Sequence, residues 1–478
     1  QQWRRALELW PRDVETAGTP PLRKSDVFLA AMDALMHTDA TSAAAVAKEA
    51  MHALADPESL IAADIYQRAG ESLGLLGNPE AALALLGKAI AIYETQPASI
   101  ELARALRRRE IFEFALGQLP EATATAERAV EVSSSLNNLV EYQWMLSVLA
   151  MHNAEHGDTD LALERINEAV DIDLAGAAPM GLITSALVHT LILAMASVAA
   201  DEVAAAGRPG LEAAAAWGIE NYYVSTIRAN LAEVLRQSGQ IQRAVELIDP
   251  VTTELAPTVD SFPAHGERAS LDLVRGRVDE SIARFEILAT LPNPLIWNRM
   301  DLAERFASAE LWSGRPQRAL DRLRAMLDES LGTDADRESA TVLVQAARAA
   351  ADVAASTPLG SSARRELLDE LTALPPRASA DPFAPHPAYG NREALAATWK
   401  TELARVAGEP ALERWVSAAQ AWDRLTRPHD AAYSRWRAAT EARRANQGVA
   451  ADRLLRRATA DAREHVPLLQ AIRDSSPR

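Results

Sequence analysis

A small residue follows a glycine by five positions at six places along this chain, mostly at intervals of thirty-seven to forty residues. The glycines are Gly77, Gly117, Gly157, Gly239, Gly276 and Gly314, and their small partners are Ala82, Ala122, Ala162, Ala244, Ser281 and Ala319. Nine positions after each glycine stands an apolar residue: Leu86, Ala126, Ile166, Ile248, Phe285 or Leu323. Helix packing accounts for all three positions. A glycine ends a helix because it enters the left-handed region without a Cβ clash. A small residue early in the next helix lets two backbones approach, and an apolar residue four later lies on the same face.

The pattern predicts an all-α fold, a tetratricopeptide-like helical-hairpin solenoid wound as a right-handed superhelix. The spacing exceeds the minimal period of about 34 residues, and longer helices or loops absorb the excess. An apolar fraction rich in alanine, with aromatics at 5%, fits closely packed helices better than a β-sandwich. With no cysteine among 478 residues there is no disulfide frame, thiol nucleophile or thiolate zinc site, as suits a cytoplasmic protein. The net charge of −17 disfavours specific nucleic-acid binding along the chain. The charge is uneven. Residues 431–478 carry ten Arg against five Asp plus Glu, leaving about −22 for the rest. No secretory signal is visible at the start, and the most apolar run, Ala186–Ala200, is too short to span a bilayer. It reads as a buried helix.

A helix from Trp3 to Trp10, stopped by Pro11, is expected first, then a helical pair over 22–56 with its turn at Thr38-Asp39. The array proper is expected over 1–356. Between Gly157 and Gly239 one unit lacks its glycine, and its turn is placed near Ala199–Asp201. Gly207-Arg208-Pro209-Gly210 reads as a break in that unit's second helix, and a further irregularity is expected from Asp249-Pro250 to Pro263. Residues 357–391, with Pro375-Pro376, Pro382, Pro385 and Pro387, read as a Pro-rich linker or irregular loop. Repeat-like C-terminal hairpins follow over 392–478, with helices at 392–407, 410–425, 429–446 and 448–465. Trp415 and Trp422, seven apart, share a face for helix packing.

The sequence offers little chemistry. His152-Asn153-Ala154-Glu155-His156 matches the inverted zinc-protease motif, which makes His152 and His156 weak metal candidates. A catalytic zinc needs a third ligand, and Glu164 and Glu168 fall on the following helix at positions that face solvent. Leu86-Gly87-Lys88 lacks the rest of a phosphate loop. Arg107-Arg108-Arg109 reads as a solvated basic run, and Asp171 and Asp173 point to different faces. No enzyme is expected, and no catalytic or cofactor-binding residue is assigned. Arg228, Asn230 and Glu233 lie on a first-repeat helix, the kind that lines the concave wall of a solenoid, where a small-molecule inducer or a protein partner would bind.

Three segments carry a resemblance: Trp3–Trp10, Arg228–Ala244, and Arg427-Pro428-His429-Asp430-Ala431-Ala432-Tyr433-Ser434-Arg435-Trp436-Arg437. In order and separation they resemble the region between the ATPase and the DNA-binding domain of large ATP-binding LuxR-type transcription regulators of actinobacteria, of the STAND/MalT-like kind. His429 departs from the usual tyrosine there, and Gln242-Arg243 from the usual acidic pair. The resemblance implies a sensing and coupling arm, with ATP expected only in an N-terminal module missing from this chain. A missing DNA-binding domain would follow residue 478. Adjoining ATPase and DNA-binding modules are then the intramolecular partners, with no membrane contact. The alternative is a general tetratricopeptide protein-interaction scaffold.

Overall fold

The structure, a computed structural model, describes residues 23–36, 40–172, 179–253, 256–293 and 295–475. The expected helix at Trp3–Trp10, the turn at Thr38-Asp39 and Asp173 lie outside them. Contacts divide the chain into two compact units, one reaching to Leu149 together with 292–295, the other holding Ala150–Leu291 and Ile296 onward. They do not divide it at 357–391, because the helices flanking that stretch pack on each other.

The first unit contains α1 (Lys24–Met36), α2 (Ala40–His52), α3 (Leu60–Leu75), α4 (Pro79–Tyr93), α5 (Ile100–Ala115), α6 (Leu119–Ser135) and most of α7 (Leu139–His156). The second continues with α8 (Thr159–Asp171), α9 (Pro179–Met195), α10 (Ala200–Trp217), α11 (Tyr222–Gln237), α12 (Ile241–Thr252), α13 (Phe262–Val274), α14 (Val278–Leu288), α15 (Ile296–Trp312) and α16 (Pro316–Ser330). It ends with α17 (Ser339–Ala354), α18 (Ser362–Ala373), α19 (Arg392–Ala407), α20 (Leu412–Arg424), α21 (Pro428–Arg444), α22 (Gly448–Asp461) and α23 (Val466–Asp474). No strand occurs among the described residues. Consecutive helices pack as hairpins (α3 on α4, α5 on α6, α9 on α10, α21 on α22), and this is a tetratricopeptide-like array.

The repeat positions fall where the spacing requires. Ala82, Ala122, Ala162, Ala244, Ser281 and Ala319 are each 0% exposed, as are Leu86, Ala126, Ile166, Ile248, Phe285 and Leu323. All six glycines have positive φ and close a Schellman turn, as when Gly77 N–H donates to the Gly74 carbonyl and Asn78 N–H to that of Leu73. Four further turns are built identically around Asn137, Ser197, Thr426 and Asn446, at φ of 50°, 57°, 53° and 58°. Ser197 therefore supplies the turn of the unit without a glycine, at a backbone cost of roughly 1–2 kcal/mol.

Three expectations are corrected. Gly207-Arg208-Pro209-Gly210 does not break a helix, since α10 runs unbroken through it. The glycines serve close approach instead: a Cβ on Gly210 would lie 2.6 Å from the Ala186 Cβ, and one on Gly207 would lie 2.9 Å from the Leu231 Cδ1. The irregularity expected from Asp249-Pro250 to Pro263 is narrower than that: α12 continues through Pro250 to Thr252, and the chain is non-helical over 256–261 before α13 opens at Phe262. The stretch 357–391 contains α18, anchored by Leu371 and by Arg364, which donates to the carbonyls of Ala354, Thr357 and Val406 at 2.6, 2.9 and 2.7 Å.

Within the second unit, late turns meet early ones. Gly390 N–H donates to the Met195 carbonyl at 3.0 Å, and a Cβ there would collide with the Ala196 carbonyl oxygen. A Cβ on Gly239 would lie 3.1 Å from Pro428, and one on Gly276 would lie 2.8 Å from Val466. Arg337 donates to the Glu155 carbonyl at 2.8 Å, and Tyr389 donates its hydroxyl to the Glu155 carboxylate at 2.6 Å. The array of this unit thus curls until its last hairpins touch its first.

Candidate functional site

The inner side of the curl holds a cavity of about 430 Å³ that is partly open to solvent. Every odd-numbered helix from α9 to α23 contributes to its wall, through Met195, Asn230, Ser270, Glu304, Arg348, Glu402, Tyr433 and Leu468 among others. These are the first helices of successive hairpins, the inner wall of a solenoid. On most of these helices the lining residues recur one turn apart, as with Asn230, Glu233, Val234 and Gln237 on α11, or Asp301, Glu304, Arg305 and Ser308 on α15.

Buried charge is organised in layers. Glu267 on α13 is 0% exposed and takes Arg236 from α11 at 2.6 Å and Arg305 from α15 on its other oxygen. Arg305 also binds Glu233 at 2.7 Å and Asp301 at 2.5 Å. Burial alone would raise the Glu233 carboxyl, but the guanidiniums of Arg305 and Arg236 outweigh it and hold the group below the ordinary range. Glu304 lacks such a partner. Burial and the neighbouring Asp301 push it up to about 7, and Gln345 donates to it at 3.0 Å. Glu338 is pushed up to about 8 by burial and by Glu155, with the Tyr389 hydroxyl between the two carboxyls at 3.3 and 2.6 Å. His429 and His465 have ring centroids 5.2 Å apart, and burial lowers the basicity of both.

Aromatic rings complete the wall. The Arg348 guanidinium lies 4.9 Å from the Trp312 ring centre and 4.4 Å from that of Tyr433. Trp422, 4% exposed, donates its indole N–H to Thr398 at 3.0 Å and also faces the cavity. Trp415 is 1% exposed and packs edge-on against Tyr433. Two buried N–H donors in the lining, Asn230 Nδ2 and Arg348 Nε, meet no acceptor.

Of the three concave-wall residues expected, Asn230 and Glu233 line the cavity and Arg228 does not. Two residues of helix turn a side chain through about 200°, so Arg228 points away from Asn230. It pairs with Glu220 at 3.3 Å and reaches the Leu247 carbonyl at 3.5 Å. The candidate zinc motif is not assembled. His152 is buried, exposed His156 engages the His152 carbonyl at 2.7 Å, and the Glu155 carboxylate is occupied by Tyr389. Glu164 and Glu168 are exposed, and no cluster of three potential ligands occurs among the described residues. The basic run Arg107-Arg108-Arg109 is not free but paired, with Glu141, Glu71 and Glu113 at 2.9, 2.6 and 2.6 Å. No helix among the described residues is long and apolar enough to cross a membrane.

No protein-family model matches the chain, and no curated protein matches it. Solved structures of helical-repeat proteins are similar at low identity. A tetratricopeptide repeat protein from Parabacteroides merdae ATCC 43184 is 13% identical over 60% of this chain and 98% of its own, with a TM-score of 0.39. A Rap protein complexed with competence and sporulation factor is 11% identical over 93% and 99%, with a TM-score of 0.40. The quorum sensor NprR from B. thuringiensis, in its apo form, is 11% identical over 87% and 97%, also with a TM-score of 0.40. The fold assignment rests on the hairpins themselves.

Proposed function

We propose that this chain is a binding protein without chemistry of its own, and that its second unit holds a small molecule in the inner-wall cavity. The observation that carries this reading is a cavity of about 430 Å³ with orphaned N–H donors and aromatic walls, drawn from eight alternate helices. The volume falls in the range of small-molecule sites, ~300–1,000 Å³. A ligand touching both early and late hairpins favours the curled arrangement by its differential affinity, and it transmits its presence along the stack.

The resemblance at Arg228–Ala244 and Arg427–Arg437 supports a finer reading. In it the chain is the sensing and coupling arm of a cytoplasmic, ATP-dependent LuxR-type regulator, with the ATPase and the DNA reader on flanking modules. Arg427, His429, Asp430, Tyr433 and Ser434 of the second segment line the cavity, which supports this reading. The alternative, a general interaction scaffold, is separated by the gene on either side: an ATPase upstream and a LuxR-type helix-turn-helix downstream favour the arm.

The direct test is a thermal-shift screen of metabolites on the chain and on Ser308→Trp, whose indole would occupy the cavity. A ligand at a hundred times its Kd adds about 2.7 kcal/mol, a shift of several degrees. We expect hits on the wild type that vanish in Ser308→Trp. Hits that persist unchanged in the variant would place binding elsewhere and overturn the reading.

A further inference from the structure

Four arginines reach the cavity, and they divide into two kinds. Arg236 and Arg305 are matched by Glu233, Glu267 and Asp301. Arg348 and Arg427 form no ion pair with any described residue. Arg348 is fixed between the ring faces of Trp312 and Tyr433, and its Nε is buried without an acceptor. Asp352, one turn further along α17, is committed to Arg405 at 2.8 Å and Arg437 at 3.3 Å. Arg427 stands over Trp422, 5.7 Å from the ring centre.

Both guanidiniums are partly exposed to the cavity, and the buried Arg348 Nε is left without an acceptor, so an anion entering the cavity finds a donor there that the protein does not itself satisfy. The planar fork of Arg348, held by two rings, suits a carboxylate. Glu304, Glu402 and Asp430 share the cavity, and their carboxyl groups disfavour a doubly charged phosphate more than a singly charged acid. Trp297, Trp312 and Trp422 line the remaining wall and favour an apolar or aromatic body.

We propose that the cavity takes a singly charged organic acid, its carboxylate held at Arg348 and its apolar body among Trp297, Trp312 and Trp422. The inference rests on the cavity being a ligand site and names the class of ligand.

The test is calorimetric titration of the whole chain with 3-phenylpropionate, indole-3-acetate and octanoate, each against its amide, and with phenyl phosphate. The acids should bind once per chain, with each amide at least about tenfold weaker. Arg348→Met should erase the preference for acid over amide, Arg427→Met should weaken it, and Arg348→Lys should keep part of it. Should Arg348→Met fail to fold by circular dichroism, Arg427→Met decides on the same readout. Amides binding as well as acids, phenyl phosphate outbinding 3-phenylpropionate, the preference unchanged in the deciding variant, or no acid binding at all would each overturn the proposal. If neutral hits from the thermal-shift screen still depend on the cavity, the ligand site stands and only its charge assignment falls.

Discussion

The same substitution, glycine to alanine in the middle of a helix, should change stability in opposite directions at two places in this chain. Gly87 lies inside α4, and a Cβ there would meet nothing within 4 Å. Gly87→Ala gains helix propensity and restricts the unfolded chain, for a stabilisation of about 0.5–1 kcal/mol. Gly210 lies inside α10, where a Cβ would sit 2.6 Å from the Ala186 Cβ and 3.1 Å from the Ile227 Cδ1. Carbon atoms pack at about 3.5–4.0 Å, so α9 and α10 must separate by about 1 Å. Overpacking of that kind costs about 1–3 kcal/mol, which exceeds the propensity gain and leaves Gly210→Ala destabilised by about 1–2 kcal/mol. Urea denaturation of the two variants beside the wild type measures both signs. If Gly210→Ala proves as stabilising as Gly87→Ala, the close approach of α9 and α10 is wrong, and with it the packing of this hairpin.

Three further outcomes are expected. Ala122→Trp should lose about 1–3 kcal/mol or more in urea denaturation, because its Cβ is fully enclosed, whereas exposed Glu121→Ala should stay within about 0.5 kcal/mol. Gly390→Ala should lower the melting temperature and expose 378–391 to limited proteolysis, because the new Cβ meets the Ala196 carbonyl; an unchanged cleavage pattern would refute that contact. Glu338 holds its proton up to about 8 in the folded state, against 4.5 unperturbed. The folded chain then binds a proton that the unfolded chain has lost. This contribution is complete below the ordinary carboxylate range and is lost as pH rises through about 8, at most on the order of 5 kcal/mol. Denaturation midpoints measured across that window should fall for the wild type and flatten for Glu338→Gln, and equal slopes would remove Glu338 as the cause.

The helical turns were legible because one physical need, a left-handed residue after each first helix, is met by a residue type that stands out. Where Ser197, Thr426 and Asn446 do the same work, nothing local marks them, and the tertiary packing bears the backbone cost. Gly207 and Gly210 mislead for the complementary reason. A glycine chosen for close approach looks like one chosen for a break, and only Ala186, Ile227 and Leu231 distinguish the two. The candidate site was half legible. A first-repeat helix must present an inner face, which identifies Asn230 and Glu233, whereas the step of about 200° from Asn230 takes Arg228 off that face. The i, i+3, i+4, i+7 run of polar residues Asp301, Glu304, Arg305 and Ser308 on α15 marks the same inner face in the sequence. The far wall, with Arg348, Arg427 and His465, depends on Gly239 meeting Pro428 and Gly276 meeting Val466, contacts between distant parts of the chain.

The absence of native cysteine makes the central claim directly measurable. A single thiol introduced as Ser308→Cys faces the cavity, and one introduced as Ser362→Cys lies exposed at the start of α18. Maleimide labelling rates are then followed with and without a bound ligand from the screen. Protection of the cavity thiol alone is the expected result; equal labelling of that thiol in the presence and absence of ligand would contradict an inner-wall site.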